Sequence, residues 1–548
     1  MVSYETILRL MPEILLAIAA CWIYVAGAFD APRRGGIWYA VLGLGVAGCS
    51  LFIEYDQALA LWQEGLAGRA YGPVYFDLFG YALRCLAILL GFLLVAQAAR
   101  DGGMRPSPEV LGSILLVVAG LMLVASARDL IILFLGFELI SMPTYLLLIL
   151  GRRDAASEEA TVKYFFLSIL ASAFLLYGFS FLYGLAGSLR LDAISLRTAQ
   201  PGGAFSQELA TLALVLIVGG LGFKIALVPL HFYAPDVYEG TTNLNAGLLS
   251  VIPKLAGLAA LVRLLAALLP AVAGTGWLLC VILAMVTMTV GNVVALWQGN
   301  IRRLLAYSSI AHAGYMLIGI AVWLAAREFG GEEPLMVAAG EAGLSATWVY
   351  MVVYVLATVG TFAALVYLGS EGRRLDKVAQ LSELSRTRGP LAAAIAVFMF
   401  SLAGVPPLAG FWGKLGLFHA ALAVATPPAK FAGVSVGTWF VGLAIVGGLN
   451  AAISAGYYLR VVAVMYFSTG GAAGGPASQW PRAQGGAGAA WATAFCATTV
   501  LAVGLFPGPL VHWTGVISQQ PAIRSAAPGA EGQAVPVQLA RTAEETAR

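Results

Sequence analysis

Three lysines lie inside strongly apolar stretches of the chain, and each lies near a proline. Lys224 precedes a proline in GFKIALVPLHFY, Lys254 directly follows one in SVIPK, and Lys414 follows a proline pair in VPPLAGFWGK. Charged side chains at bilayer depth are costly and usually mark ion paths or proton relays. Proline interrupts a helix, and an interruption inside the membrane is tolerated only where it is buried in protein or lines a wet cavity. The pattern predicts a transport site built on broken helices.

Burial changes the proton affinity of a lysine, so that it can load and unload a proton near neutral pH. We expect Lys224 and Lys254 to act in this way. Lys414 is flanked by Gly413 and Gly416, which permit an unwound turn, and we expect a wet exit path beside it. The alternative for all three lysines is that the side chain reaches the membrane surface and has no transport role.

Opposite charges occur in two neighbouring apolar segments. Glu138 lies in FLGFELISMPTYLLL and Lys163 in EEATVKYFF. These residues predict a buried ion pair, which at about 4 Å and an effective dielectric near 20 contributes roughly 4 kcal/mol before desolvation. Such a pair can hold both groups charged or release one when a neighbour changes state. The alternative is a static pair that only fixes helix packing.

Two histidines are candidate proton relays, because imidazole passes a proton in either direction. His231 follows Lys224 by seven residues, about two helical turns, and so is expected on a similar face. His312 lies in the polar patch SSIAHAGY of an apolar segment. For each, a hydrogen-bonded core histidine is as good an interpretation as a relay.

The amino-acid composition indicates a membrane protein. Of 548 residues, 60% are hydrophobic and 11% charged, whereas soluble domains carry about 25% charged residues. The five cysteines and four histidines have no spacing typical of an iron–sulfur, zinc or disulfide framework. GLGVAG lies in an apolar segment without βαβ context and indicates helix packing, not a nucleotide loop. No motif indicates a cofactor or nucleic-acid site in this chain.

The hydropathy pattern predicts an all-α polytopic membrane protein with about 14 transmembrane helices. The first apolar run lacks a basic flank and a cleavage site, so we expect it to be a retained helix. The predicted spans are 10–29, 37–53, 74–98, 110–126, 130–150, 159–186, 207–231, 244–269, 275–297, 304–325, 344–369, 390–424, 435–467 and 488–513.

Two five-helix repeats are predicted, each with one proline-broken helix and a lysine near the break. Because five spans is an odd number, the second repeat enters the membrane from the opposite side, which is the inverted-repeat pattern of transporters. The predicted division is a three-helix segment 1–109, a proton-uptake repeat 110–270, an exit repeat 271–467, a loop and last helix 468–513, and a disordered tail 514–548.

Lysine and arginine in the loops predict the orientation. The richer set should be cytoplasmic, which places both termini in the periplasm of a bacterial inner membrane. That set is Arg33, Arg34, Arg100, Arg105, Arg152, Arg153, Arg302, Arg303, Arg373, Arg374, Lys377, Arg386, Arg388 and Arg482. The opposite set is Arg69, Arg128, Arg190, Arg197, Arg327 and Lys430.

Residues 110–467 resemble the antiporter-like membrane subunits of proton-pumping NADH:quinone oxidoreductase, respiratory complex I. The segments that carry the resemblance are FLGFELISMPTYLLL, EEATVKYFF, GFKIALVPLHFYAPDVYEG, SVIPKLAGLAALVRLL, NIRRLLAYSSIAHAGY and LAGVPPLAGFWGKLGLF. Within the family, SVIPK with Arg263 and APDVYEGTT are similar to the N type of subunit. One departure is TTNLNAGLL, where the family usually has a Thr-Pro-containing run.

The resemblance implies roles for the candidate residues. Glu138 and Lys163 would form the inter-subunit coupling pair, and Lys224 and Lys254 would carry protons along the centre. The remaining implied site residues are Lys414 in the exit half and His231 and His312 in the connecting axis.

The resemblance also implies that NADH, FMN, iron–sulfur clusters and quinone are bound by partner subunits. The implied partners are other membrane-arm subunits, among them a second antiporter-like subunit and small membrane subunits, together with the lipid bilayer and protons. A subunit of a multi-subunit cation/proton antiporter or of a membrane-bound hydrogenase is the alternative function. An assembly scaffold with static buried charges is the structural alternative.

Overall fold

The fold is a bundle of membrane-length helices. The computed structural model describes residues 4–518 except 30–34, 64–67, 100–106, 153, 199–206, 330–333, 370–374, 425–429, 432 and 469–484. Within the described residues, thirteen helical segments are long and apolar enough to cross a membrane, and a fourteenth crossing is divided into two shorter helices. The prediction of an all-α polytopic protein with about 14 spans is confirmed.

The helices of the first half are α1 (Tyr4–Arg9), α2 (Met11–Ala28), α3 (Gly35–Ile53), α4 (Tyr55–Gln63), α5 (Leu78–Ala98), α6 (Pro108–Ser126), α7 (Leu130–Gly151), α8 (Ala155–Ala186), α9 (Leu191–Thr198), α10 (Gln207–Ile225) and α11 (Tyr233–Gly240). Those of the second half are α12 (Asn243–Leu296), α13 (Ile301–Phe329), α14 (Pro334–Leu368), α15 (Leu384–Thr387), α16 (Gly389–Ala403), α17 (Ala409–Ala423), α18 (Val436–Phe467), α19 (Gly486–Leu505) and α20 (Gly508–Ser518). A 3-10 turn covers Val378–Leu381. Two short antiparallel hairpins pair β1 (Arg69–Tyr71) with β2 (Val74–Phe76) and β3 (Lys430–Phe431) with β4 (Val434–Ser435).

Polar residues at the ends of the apolar runs begin several helices. Asp77 accepts a 2.9 Å hydrogen bond from the backbone N–H of Gly80, and Asp154 accepts one of 3.0 Å from Ser157. Asp129 caps α7 in the same way. These carboxylates satisfy N–H groups that have no partner within the helix. The sequence therefore fixes where the membrane helices α5, α7 and α8 start.

Helix α12 folds back on itself. A straight helix of its 54 residues would be about 80 Å long. However, Arg302 Nη1, beyond its C-terminal end, donates a 2.6 Å hydrogen bond to Thr241 O, before its N-terminal end. The two ends therefore lie together, and the segment crosses twice, through 243–268 and 274–296.

Two membrane crossings are interrupted, and buried lysines lie at both breaks. Helix α10 ends one residue after Lys224, and Ala226 has φ of 64°. The second break separates α16 from α17, and Gly404 has φ of 88° there. The separate short helix α20 after the last long helix was not predicted. It extends to Ser518, into the stretch that the sequence predicted to be a disordered tail; residues 519–548 lie outside the described part.

Described members of the two predicted sets of basic residues lie at opposite ends of α7. Before α7, Arg128 pairs with Asp192 at 2.7 Å, and we call this the Arg128 end. After α7, Arg152 Nη1 donates a 2.7 Å bond to Glu239 O, and we call this the Arg152 end. Arg33, Arg34, Arg100, Arg105, Arg153, Arg373, Arg374 and Arg482 lie outside the described residues.

Candidate functional site

Lys224 is held by hydroxyl groups from two neighbouring helices. Its Nζ donates a 2.7 Å hydrogen bond to Ser141 Oγ of α7 and a 2.9 Å bond to Ser168 Oγ of α8. The residue is only 4% exposed. Because the hydroxyls are neutral, they solvate an ammonium group without fixing its charge as a carboxylate would. Lys224 can therefore exist in both protonation states at this position.

Glu138 belongs to the same polar cluster as Lys224. It lies one turn before Ser141 on α7, and its carboxylate accepts a 2.6 Å hydrogen bond from Ser172 Oγ. Ser172 in turn lies one turn after Ser168 on α8. The acidic and basic groups are thus linked through two helices whose serines contact one group or the other.

The predicted Glu138–Lys163 ion pair is wrong. Lys163 Nζ contacts Asp236 Oδ2 at 2.6 Å and Glu159 Oε1 at 2.5 Å, and its side chain is 39% exposed. The physical reason is depth. Helices α7 and α8 run antiparallel, so Glu138 lies about 20 Å from the Arg152 end and Lys163 only about 12 Å from it. Opposite charges in adjacent helices do not face each other unless their depths match.

Lys254 is buried among hydroxyls and carbonyls of α13 and α14. Its Nζ donates to both the backbone O and the Oγ of Ser309. Ser309 Oγ lies 2.8 Å from the Tyr354 hydroxyl, which donates a 2.9 Å bond to Ser250 O. Lys254 is 3% exposed, so the alternative that it reaches the membrane surface is wrong.

His312 lies one turn from Ser309 on α13, and both of its ring nitrogens have tyrosine partners. Nδ1 is 2.5 Å from the Tyr350 hydroxyl of α14, and Nε2 is 2.8 Å from the Tyr458 hydroxyl of α18. A neutral imidazole has one donor and one acceptor nitrogen, so a proton entering at one side releases another from the opposite side. His312 is hydrogen-bonded, as one of its two interpretations predicted, and the same hydrogen bonds allow it to relay a proton.

Lys414 uses carbonyl groups that the second break leaves free. Its Nζ donates to Leu402 O at 3.0 Å and to Ala403 O at 2.8 Å, at the end of α16. The side chain is 4% exposed. The last carbonyls of a helix have no intrahelical donor, so the break supplies a polar site at membrane depth. Lys414 therefore does not reach the membrane surface.

His312 lies between two of the lysines, each separated from it by one tyrosine ring. Lys254 Nζ is 5.8 Å from the centre of the Tyr354 ring, which is 5.1 Å from that of His312. Lys414 Nζ is 5.0 Å from the Tyr315 ring, whose centre is 6.3 Å from that of His312.

Lys224 approaches this group at Gly257, one turn after Lys254 on α12, where an added Cβ would lie 3.6 Å from Lys224 Cβ. Among the described residues, no direct hydrogen bond joins the two lysines. The four basic groups nevertheless form one buried row.

His231 does not lie on the face predicted for it. Because α10 ends at Ile225, the chain changes direction before His231, and the two-turn relationship to Lys224 is wrong. His231 Nδ1 is buried and has no hydrogen-bond partner among the described residues. The structure brings Lys224, Lys254, Lys414 and His312 together, but it gives His231 no contact with them.

Sequence reasoning missed the hydroxyl groups that complete the site. Their types are common in apolar helices, so no spacing rule identifies them in advance; only Ser308 and Ser309 stood out, in the patch around His312. The missed residues are Ser141, Ser168, Tyr350, Tyr354 and Tyr458.

Two buried arginines outside this row are neutralised by carboxylates. Arg263 is 2% exposed, and its Nη2 lies 3.0 Å from Asp77 Oδ1. Asp77, the cap of α5, is itself fully buried beside it. Arg84 pairs with Glu13 at 2.8 Å and Glu54 at 3.0 Å. Both sites join helices that are distant in sequence.

In the described part of the chain, no three His, Cys, Asp or Glu side chains come together to form a metal site. The five cysteines are free. The polar row consists of lysine, histidine, hydroxyl and backbone groups, which suit protons and not the ligand sets of iron–sulfur clusters or zinc.

A bundle with interrupted helices and a buried row of lysines defines the class of antiporter-like membrane subunits. The family described as NADH:quinone oxidoreductase/Mrp antiporter, TM matches residues 127–331 and 333–440. The chain belongs to this family, and within it to the group of NADH-quinone oxidoreductase subunit N. The resemblance seen in the sequence is confirmed.

Relatives named NADH-quinone oxidoreductase subunit N match over most of their length. That of Trichlorobacter lovleyi is 36% identical over 84% of this chain and 88% of its own. That of Rubrobacter xylanophilus is 34% identical over 87% and 92%.

Among solved structures, a chain of respiratory complex I from Thermus thermophilus with bound aureothin matches with a TM-score of 0.70 and 31% identity, over 91% of this chain and 98% of its own. A chain of the Mrp complex from Dietzia sp. has a TM-score of 0.74 at 21% identity, covering 94% and 98%, and shares the fold.

Proposed function

We propose that this chain is a proton-translocating membrane-arm subunit of NADH:quinone oxidoreductase. The observation that carries the proposal is the buried row Lys224, Lys254, His312 and Lys414, in which every ammonium group is solvated by neutral oxygens. Lysines without a contacting carboxylate change protonation state when a neighbouring charge changes. The relatives named subunit N supply the reaction context.

Coupling starts at Glu138. A change in its charge acts on Lys224 through the shared serine cluster, and the change then passes to Lys254, His312 and Lys414. Moving one charge against 100 mV costs about 2.3 kcal/mol. Two unit charges about 4 Å apart at an effective dielectric near 20 interact by roughly 4 kcal/mol, so local charge changes are large enough. In this scheme Lys163 holds α8 to α11 and is not the partner of Glu138.

The two broken helices serve opposite halves of the path. Residues 110–270 form the uptake half, with Lys224 before its break. Residues 271–467 form the exit half, with Lys414 after its break. The inverted order of lysine and break gives each half access to one end of the bundle. The segment 1–109 supports the path from the side, through helices neutralised at Arg84.

The Arg152 end faces the cytoplasm of a bacterial inner membrane in this proposal, because the sequence assigns the larger set of basic loop residues to that side. Both termini then lie in the periplasm. NADH, FMN, iron–sulfur clusters and quinone bind to partner subunits. The partners in the membrane arm are a second antiporter-like subunit and small membrane subunits.

The antiporter alternative rests on a likeness at 21% identity, which shows a shared fold. The relatives at 34–36% identity are all named as quinone oxidoreductase subunits. The oxidoreductase role is therefore the better supported of the two. Sodium-dependent proton exchange in vesicles without NADH would favour the antiporter instead.

The test uses membranes that carry Lys254→Ala. Assembly of the complex is checked on a native gel, and NADH-driven quinone reduction and proton pumping are measured together. Loss of both in an assembled complex supports the proposal. Lys430→Ala is the matched control, because Lys430 is an exposed lysine on β3. Full reduction and full pumping by Lys254→Ala would overturn the proposal.

A further inference from the structure

The hydroxyl of Tyr458 lies between two groups that can each accept its proton. On one side it is 2.8 Å from His312 Nε2. On the other side it is in hydrogen-bond contact with Ser308 Oγ. Ser308 is the residue next to Ser309, which holds Lys254. A phenol has one proton to donate, so it donates to one neighbour and accepts from the other.

We propose that Tyr458 is a proton-transferring residue whose hydroxyl orientation sets the tautomer of His312 and admits one proton at a time. In the loading state Ser308 donates to Tyr458, Tyr458 donates to Nε2, and Nδ1–H donates to Tyr350. In the discharged state each of these hydrogen bonds is reversed. All of these groups are buried. Bulk water therefore does not exchange protons with them and interconvert the loading and discharged states.

The proton balance of one passage is closed. A proton arrives at Ser308, whose own proton moves to the Tyr458 oxygen, while the Tyr458 proton forms the new N–H bond at Nε2. The Nδ1 proton moves to the Tyr350 oxygen, and Tyr350 passes its own proton to a water molecule on the Lys414 side. The histidine returns to a neutral form with the opposite tautomer. A second proton cannot enter until the hydroxyls turn back, so the step is gated without any movement of a helix.

The inference rests on the proposed function, and its test is Tyr458→Phe in the assembled complex. Removing a positioned proton-transfer group typically costs a hundredfold or more, and we expect at least a tenfold loss of coupled quinone reduction and pumping. Tyr81→Phe is the control, because this tyrosine is also buried but lies on α5, outside the buried row. It should keep close to normal rates.

A solvent deuterium isotope effect separates proton transfer from packing. If Tyr458 transfers protons, its loss makes that step limiting, and the isotope effect on quinone reduction rises in Tyr458→Phe but not in Tyr81→Phe. An unchanged isotope effect, or full pumping by Tyr458→Phe, would overturn the inference.

If Tyr458→Phe fails to assemble, Ser308→Ala is tested instead, because it removes the other hydrogen-bond partner of Tyr458. The isotope effect should rise in the same way. An unchanged isotope effect in Ser308→Ala would also overturn the inference. Loss of pumping in Lys254→Ala together with normal Tyr458→Phe would reject only this inference. Normal activity in both would reject the proposed function as well.

Discussion

Lys224 Nζ lies 2.7 Å from Ser141 Oγ, and this bond places the lysine one helical turn from Glu138. The contact joins the last turn of α10, directly before the break, to the middle of α7. A second serine, Ser168 of α8, completes the site at 2.9 Å. The lysine is thus solvated by one hydroxyl from the helix that carries Glu138 and one from the helix whose Ser172 contacts Glu138.

Removal of these hydroxyls should destabilise the protonated form of Lys224 relative to the neutral form. A hydrogen bond to a charged group contributes about 1.5–3 kcal/mol, so Ser141→Ala/Ser168→Ala should slow coupled quinone reduction by about tenfold or more. Ser180→Ala is the control, since Ser180 lies on the exposed part of α8 and bonds to Tyr177 O. Rates equal to those of the control would show that these serines do not tune the lysine.

The geometry predicts that Glu138 is coupled to Lys224 and not to Lys163. Glu138→Gln should abolish most pumping, whereas Lys163→Gln should change it little, because exposed ion pairs contribute about 0–1 kcal/mol. A double-mutant cycle measures this. The effects of Glu138→Gln and Lys163→Gln should add, while those of Glu138→Gln and Lys224→Gln should not. Additivity in the second cycle would contradict the shared cluster.

Gly404 lies against the side chain of Lys414 at the second break. Its φ is 88°, and an added Cβ would lie 2.9 Å from Lys414 Cδ. Gly404→Ala should therefore cost about 1–2 kcal/mol in backbone strain and move the lysine, with a loss of pumping. Gly448→Ala is the opposite case, because nothing lies within 4 Å of its Cβ position in α18. Equal pumping by both variants in assembled complexes would show that the break tolerates a side chain.

Asp192 should make the Arg128 end sensitive to acid. Burial acts to raise the pKa of Asp192, but hydrogen bonds from Arg190 and Arg128 outweigh it and hold the pKa below its usual value. Its stabilisation is complete above the unfolded pKa, near 4, and is lost as pH falls through the lower folded value.

Asp192→Asn should lower thermal stability at neutral pH, since breaking a buried pair costs about 3–5 kcal/mol. It should also reduce the further loss of stability as pH falls below the unfolded pKa, near 4. Thermal unfolding of the purified complex at several pH values measures this. Asp56→Asn on α4, at an exposed position, is the control. An acid profile identical to that of the unsubstituted complex would contradict the role of the Arg128–Asp192 pair.

Periodicity and composition alone were sufficient for the membrane architecture. Long apolar runs must become helices in a bilayer, because no other local structure satisfies the backbone there. Prolines in those runs marked the breaks near Lys224 and Lys414. The lysines themselves stood out because a charged residue in an apolar membrane segment is costly and usually has a function.

Tertiary structure decided which groups those charges meet. The partner of Lys163 is Asp236, 73 residues away, and the partner of Arg263 is Asp77, 186 residues away. Such contacts depend on the depth and rotation of each helix, and a single sequence does not specify either. The serines and tyrosines around Lys224 and His312 were hidden for a related reason. A hydroxyl in an apolar helix becomes part of a proton path only when another helix brings a basic group within hydrogen-bond distance.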